Sequence, residues 1–303
     1  MPEYFRSNVC IMNFRKCFAG VISALFLAFV PIKSLAGPVT RHVIIVSFDG
    51  GKPTVMQQST MPVLQKMLKD GAGTWEAFTV VPSITLVSHT SMLTGVEPDK
   101  HLIDWNEWKP EKGLVQVPTV FAYAKSAGFT TGLFAGKEKF KHLNVPGTLD
   151  GFAVPEYAAK AVAKEAATFI VEKKPNLCFV HFADSDGAGH SHGWGSPEQV
   201  QAFADEDEAL SILKDAVTRA GFADDCVFIL TADHGGHDKT HGSTQLVDMH
   251  IPWIVSGKGV KPGFHISQRV STCDTTATAL WLLGVRLPNS LDGKPVKSAF
   301  GGK

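Results

Sequence analysis

The feature that most constrains this chain is a series of short apolar runs, separated from one another by segments of helical spacing and followed by polar or glycine-rich residues. His42 to Phe48, Phe129 to Phe134, Asn176 to Phe182, Cys226 to Leu230 and Ile251 to Val255 read as strands buried on both faces. Between them, Met61 to Lys69 and Val117 to Ser126 have helical spacing. Tyr157 to Glu172 is Ala-rich without Pro or Gly, and Pro197 to Ala220 opens with a Pro-Glu pair suited to a helical first turn. Thr275 to Leu283 reads as a further helix against the sheet. This alternation predicts an α/β fold in which a mostly parallel sheet is sandwiched by helices. No repeat or composition break divides residues 37–303, so a single catalytic α/β domain is expected, with Leu102 to Val117 as an excursion over the site.

Residues 1–36 have a different character. Arg15 and Lys16 precede the apolar run Cys17 to Val30, and Ser34-Leu35-Ala36 offers small residues for a cut before Gly37, the pattern of a signal peptide. Pro31 and Lys33 end the apolar run short of the roughly 20 residues a membrane span needs. No later segment is apolar enough to cross a membrane, so a periplasmic or secreted location is expected. Removing residues 1–36 takes the chain from 29 basic and 29 acidic side chains to 25 and 28, a balance with no field for stable nucleic-acid binding. Cys178, Cys226 and Cys273 remain, and the first two lie in apolar runs, which favours buried thiols over a disulfide framework.

The polar residues collect where the strands end. Asp49 follows the first strand, Asp186 and His190 lie just past Asn176 to Phe182, and Asp233 and His234 just past Cys226 to Leu230. Strand ends at one edge of a parallel sheet converge in space, which brings together ligands far apart in sequence. Adjacent Asp and His at the end of a buried strand are costly unless coordinated or hydrogen-bonded. His241 is a further candidate ligand. Asp184 and His192 compete with Asp186 and His190, His237 reads as a loop neighbour, and His181 reads as a near-core histidine. Two sets of oxygen and nitrogen donors suggest two metal ions. The Asp/His mixture suits Zn²⁺, with Mn²⁺ possible, and is too rich in imidazole for a Ca²⁺ or Mg²⁺ cage.

A two-metal site wants a nucleophile. Val81 to Gly95 reads as a turn and a short helix, with Thr85 near the helix start, where unpaired N–H groups favour anions. Ser83, Ser88 and Ser91 are alternatives on the same terms, and Thr85 or Ser83 could equally be a helix cap.

At this point the chain resembles a known family. Asp49 after a strand, Pro82-Ser83-Ile84-Thr85, Ser88-His89, Thr94-Gly95, Pro98, His101, Asn106, Asp186-x-x-Gly189-His190, Asp233-His234-Gly235 and His241-Gly242 fall in the order of the alkaline phosphatase superfamily, in its nucleotide pyrophosphatase/phosphodiesterase branch. The resemblance runs from about Val43 to Asp292. It implies an alkaline phosphatase-like fold and a threonine nucleophile at Thr85 that forms a covalent phosphoryl or nucleotidyl enzyme. It also implies one zinc held by Asp49, Thr85, Asp233 and His234, a second held by Asp186, His190 and His241, and a non-bridging phosphoryl oxygen bound by Asn106. Family members often carry Thr-Phe-Pro-Asn where this chain has Thr85-Leu86-Val87-Ser88, and His-Gly where it has His101-Leu102, so the leaving-group pocket departs from the family pattern. Trp105 and Trp108 flank Asn106 and read either as stacking partners for an aromatic substrate group or as packing residues.

No cysteine sits in a sulfatase-type Cys/Ser-x-Pro-x-Arg motif, and no Gly-x-Ser-x-Gly elbow occurs. A phosphomonoesterase would normally add a cation such as an arginine for the extra charge of its substrate. Arg41, Arg219, Arg269 and Arg286, the arginines after residue 36, stand in no motif. The expected function is two-zinc hydrolysis of phosphodiester or nucleotide pyrophosphate bonds in a small-molecule phosphate ester or nucleotide. Phosphomonoester or phosphonate hydrolysis on the same metals is the alternative, and a noncatalytic metal-binding protein the distant one.

Overall fold

The computed structural model describes residues 40–301, all within one compact unit that spans Ser34–Lys303. The expected signal peptide lies outside the described residues. The strands are β1 (His42–Phe48), β2 (Ala72–Phe78), β3 (Thr131–Ala135), β4 (Gly151–Ala153), β5 (Leu177–Phe182), β6 (Cys226–Thr231), β7 (His250–Gly257) and β8 (Phe264–His265). They form one sheet in the order β4-β3-β5-β1-β6-β7-β2-β8. Every described pairing is parallel except those of β7 with β6 and with β2, so β7 alone runs against the others.

The helices are α1 (Pro53–Met56), α2 (Pro62–Asp70), α3 (Thr85–Thr94), α4 (Pro98–His101) and α5 (Val120–Ser126). They continue with α6 (Ala159–Lys173), α7 (Asp184–His192), α8 (Pro197–Ala220), α9 (Leu246–Met249) and α10 (Asp274–Leu282). Side chains alternate across a strand, and β1 shows the result. Val43 and Ile45 enter a core with Phe121 of α5, Leu93 of α3 and Leu280 of α10, while Ile44, Val46 and Phe48 enter a second core with Leu64 of α2, Ile170 of α6 and Leu210 of α8. The mostly parallel, two-sided α/β architecture is the one expected from the apolar runs.

Two departures from the expected elements have physical causes. β2 carries Gly73 and Glu76 within seven residues and lacks strand periodicity; its pairing with β7 supplies the order that its own residues do not. α7 forms although Gly187 and Gly189 lie within it, each costing about 1 kcal/mol of helix propensity. A Cβ at Gly187 would lie 2.5 Å from the Tyr157 hydroxyl, and one at Gly189 would lie 2.8 Å from the Trp194 ring, so both glycines admit an aromatic side chain to the helix surface. Residues 102–117 do make an irregular excursion, pinned by His142, whose Nε2 accepts from Trp105 Nε1 at 3.1 Å and whose Nδ1–H donates to the Gly113 carbonyl.

α8 buries a carboxyl under this frame. Glu206 meets the Ser185 N–H and Oγ, each at 3.0 Å, and its Oε2 has no partner. Burial pushes its pKa well above the ordinary 4.5. The folded state therefore holds a proton that the unfolded state gives up, and stability falls as pH rises from 4.5 toward the folded value. Glu206→Gln, which mimics the protonated acid, is expected to be more stable than wild type near pH 8 and indistinguishable from it near pH 4. Denaturant unfolding of chelator-treated protein at both pH values checks this, and an equal difference at both would overturn the account.

Candidate metal centre and active site

Four neighbouring strands, β3, β5, β1 and β6, end at one edge of the sheet and deliver Lys137, Asp186, Asp49 and Asp233 to one place. All three carboxylates are buried, Asp49 and Asp233 completely. In each, one oxygen is satisfied and the other is not. Asp49 Oδ2 accepts from His181 Nε2 at 2.8 Å and Lys137 Nζ at 2.6 Å; Asp186 Oδ2 accepts from the same ammonium at 2.6 Å. Asp233 Oδ1 accepts the N–H groups of Gly50 and His234, each at 3.0 Å. Asp49 Oδ1, Asp186 Oδ1 and Asp233 Oδ2 are buried without any hydrogen-bond partner.

The imidazoles are arranged to match. His234 Nδ1–H donates to the Gly235 carbonyl at 2.8 Å, His241 Nδ1–H to the Ser83 carbonyl at 2.9 Å, and His190 Nδ1–H to the Lys239 carbonyl at 3.0 Å. A carbonyl can only accept, so each neutral ring turns the Nε2 lone pair inward, the orientation that metal-bound histidines take. His234 Nε2 lies 3.3 Å from Asp49 Oδ1 and 3.2 Å from Asp233 Oδ2. His190 Nε2 lies 3.3 Å, and His241 Nε2 3.8 Å, from Asp186 Oδ1. Two groups of potential ligands result, Asp49, Asp186 and His234 in one and Asp186, His190 and His241 in the other, and Asp186 belongs to both. The donor set and its orphaned oxygens fit two divalent cations.

The titration of the cluster's own side chains reflects the same convergence of lone pairs. Burial opposes charge on His234, but Asp233 and Asp49 outweigh it and push the imidazole up to about 9. Burial, with Asp49 beside it, pushes the Asp233 carboxyl up to about 8. Burial and the facing His234 pull His241 down to about 4, which leaves its ring neutral. Against burial, Lys137 and His181 hold Asp49 well below the usual carboxylate range.

The nucleophile candidates separate clearly. Thr85 is the first residue of α3, buried, with Oγ1 3.5 Å from His234 Nε2. Ser83 Oγ donates instead to the Ser243 carbonyl, Ser88 Oγ accepts from Thr79, and Ser91 Oγ meets His101 Nε2. Asn106 Oδ1 accepts the Leu86 N–H at 2.9 Å and Lys139 Nζ at 3.0 Å. Both partners are donors, so Oδ1 is the atom that faces them and the Nδ2 amide is free. α3 is seated by His89, buried and kept neutral by burial, which bonds the Thr85 carbonyl at Nδ1 and Ser47 Oγ at Nε2, each at 2.8 Å.

Other candidates fall outside. Asp184 accepts the Ala159 N–H at the start of α6, His192 faces Glu198 at the surface, and His237 pairs with Asp248, which also accepts from Ser243 N and Oγ. His181 is the buried support for Asp49. Trp105 and Trp108 both pack on His142. Three functional residues escaped the sequence reading. Lys137 and Lys139 carry no signal beyond their place after a strand. Trp194, which donates from Nε1 to the Gly50 carbonyl and stands edge-on to His190 and His241, is marked only by the glycines around it. A surface cavity of about 800 Å³ is lined by Tyr157, Asp184 and Glu198 on the outer side of α7 and does not contain the cluster.

A parallel α/β sheet whose strand ends converge on paired Asp/His ligands, with a threonine hydroxyl beside them, defines the class of protein. Residues 43–120 and 120–251 match the type I phosphodiesterase / nucleotide pyrophosphatase family, and the chain belongs to it, in the alkaline phosphatase superfamily. Human ectonucleotide pyrophosphatase/phosphodiesterase family member 7 is 23% identical over 239 residues, 69% of this chain and 51% of the relative. Phosphopentomutase of Agathobacter rectalis is 31% identical over 124 residues, 40% of this chain and 29% of the enzyme. The chain thus spans about half or less of the length of these curated relatives. The structure of murine ectonucleotide pyrophosphatase/phosphodiesterase 5 with AMP superposes with a TM-score of 0.73 at 16% identity, over 86% of this chain and all of that one, a likeness of fold.

Metal analysis of the purified protein is expected to return two divalent cations per chain. Asp186→Asn should lose both, and His190→Ala only one, because Asp186 Oδ1 belongs to both groups. At about pH 7 a cation displaces the proton held by His234, so binding to chelator-stripped protein should release protons and tighten as pH rises toward about 9. Titration calorimetry in buffers of different ionisation enthalpy reads this directly, and pH-independent binding without proton release would contradict it.

Proposed function

We propose that this protein hydrolyses phosphodiester or nucleotide pyrophosphate bonds of small molecules at a site holding two divalent cations, with Thr85 as the nucleophile. The observation that carries the reading is the placement of Thr85. Its hydroxyl opens a buried helix within 3.5 Å of an inward-facing histidine nitrogen, beside orphaned carboxylate oxygens and a free asparagine amide. Asp49, Asp233 and His234 with Thr85 would hold one cation, and Asp186, His190 and His241 the other, with Asp186 also facing the first group. Zn²⁺ is the ion best suited to these donors and Mn²⁺ the second choice. The bound cations would supply the positive charge that makes a threonine hydroxyl nucleophilic at neutral pH and stabilises a departing oxygen.

The residues of the chain do the rest. Thr85 Oγ1 attacks phosphorus in line, and a Thr85–phosphorus bond forms as the bond to the leaving oxygen breaks. Thr85 Oγ1 gives up its proton in this step, and the departing oxygen takes one up. Water then attacks the same phosphorus, the Thr85 bond breaks, and the hydroxyl is restored. Through both steps the Asn106 amide and the Thr85 N–H would face the oxygens on which charge builds, the Leu86 N–H being engaged by Asn106 Oδ1, an arrangement typically worth about 10²–10³ in rate for one donor. His181 and Lys137 keep Asp49 in place, and His89 keeps α3 on the sheet.

A nucleotide suits this reading, since the murine relative holds AMP. Export through residues 1–36 belongs to it as well. Hydrolysis of a phosphomonoester or phosphonate is the second reading, favoured by the cation beside Asn106.

The direct test measures bis-p-nitrophenyl phosphate and p-nitrophenyl phosphate with zinc-loaded protein. Thr85→Ala is expected to lower turnover of whichever is the better substrate by at least about 10³-fold while it keeps the fold, and Thr85→Ser to retain a measurable part. Turnover undiminished in Thr85→Ala would remove the covalent route.

A further inference from the structure

Lys139 is the one lysine in this cleft with no carboxylate within ion-pairing distance among the described residues. Lys137, two residues before it, is fully engaged by Asp49 and Asp186. Lys139 is half-buried, and among the described residues its ammonium has one hydrogen bond, to Asn106 Oδ1 at 3.0 Å. Phe140 is completely buried against His89, Phe179 and His181, and it anchors the single 3₁₀ stretch Glu138–Leu143 from which Lys139 projects. Burial and the neighbouring Lys137 both lower the lysine's hold on its proton. An ammonium so placed lacks a counter-anion, and an anion bound beside Asn106 would provide one.

We propose that Lys139 is a specificity-determining contact that, with the Asn106 amide, receives the non-bridging oxygens of a phosphoryl group carrying two negative charges. This rests on the reading of Asn106 and Thr85 as the phosphoryl pocket. A diester presents one charge on its two non-bridging oxygens and a second ester arm. A monoester or a phosphonate presents three non-bridging oxygens and up to two charges. A fixed ammonium next to the amide favours the second kind, and it is the positive group absent from the arginines of this chain. Lys139 therefore shifts selectivity at the proposed site from diesters toward the second reading, dianionic phosphoryl groups such as a monoester, a phosphonate or the terminal phosphate of a nucleotide.

The experiment compares wild type, Lys139→Met and Lys139→Arg, each loaded with zinc and matched in metal content. It measures kcat/KM for p-nitrophenyl phosphate and bis-p-nitrophenyl phosphate and, separately, the affinity for inorganic phosphate by calorimetry. Lys139→Met is expected to reduce the monoester-to-diester ratio by about 10- to 100-fold and to weaken phosphate binding by a similar factor, the effect of losing one charge-assisted contact. Lys139→Arg should restore most of both. An equal fall for the two substrates would show that Lys139 acts only by holding Asn106, and unchanged phosphate affinity would show that it meets no anion; either result overturns the proposal. If wild type turns over neither ester, the functional reading fails, while phosphate affinity still decides the role of Lys139.

Discussion

Three carboxylates buried side by side are the constraint on which this molecule depends. Asp49, Asp186 and Asp233 come from three adjacent strand ends with almost no access to water. Uncompensated carboxylates at such depth would be prohibitively costly, so the fold has to answer each one. Its answer is two-sided. The outer oxygens go to permanent partners supplied by the protein: His181, Lys137 and two backbone N–H groups. The inner oxygens go to nothing in the chain. Because Lys137 binds only outer oxygens, it lowers the repulsion without occupying the positions where a cation would bind.

The surrounding histidines follow the same logic. Their Nδ1 atoms are committed to carbonyls of Gly235, Ser83 and Lys239, which lie on loops rather than within the sheet. Those loops must therefore be held as firmly as the strands. The His237–Asp248 pair, with Ser243 bonded to the same carboxylate, closes the loop that carries His241. Trp194 holds the other side, where its ring stands edge-on to two of the imidazoles. Residues with no contact to a reacting group thus set the direction of the Nε2 lone pairs.

Much of this was legible in the residues themselves. The apolar runs revealed the sheet because burial on both faces leaves a compositional mark, and Asp49, Asp233 and His234 were conspicuous as polar residues closing those runs. β2 left no such mark, since Gly73 and Glu76 sit in a strand that β7 orders from outside. α7 resembled a loop because its two glycines serve Tyr157 and Trp194, partners that no local pattern reveals. The competition between Asp184 and Asp186 was unreadable for a related reason. Both lie on one helix, and only the tertiary position of the α6 start, which claims Asp184, separates them. Lys137 and Lys139 are the plainest case, since a lysine after a strand is ordinary until the depth of its head group is known.

That depth bears on how the site would behave toward a phosphate. Around the cluster, three carboxylates face the Lys137 ammonium, and without cations the protons held by His234 and Asp233 bring the balance near pH 7 close to neutral. A phosphate, itself anionic, gains little from such a cleft. Two divalent cations would displace those protons and make the field positive, and the ammonium of Lys139 would add to it. The proposed phosphoryl pocket therefore attracts its ligand most strongly when the metal positions are filled. Its uncharged members, the Asn106 amide and the start of α3, are fixed by the Leu86 N–H bond whether or not cations are present. Geometry is built into the chain, and the strength of the positive field is left to the metals, so that anion binding and metal loading are coupled through charge without any need for the backbone to move.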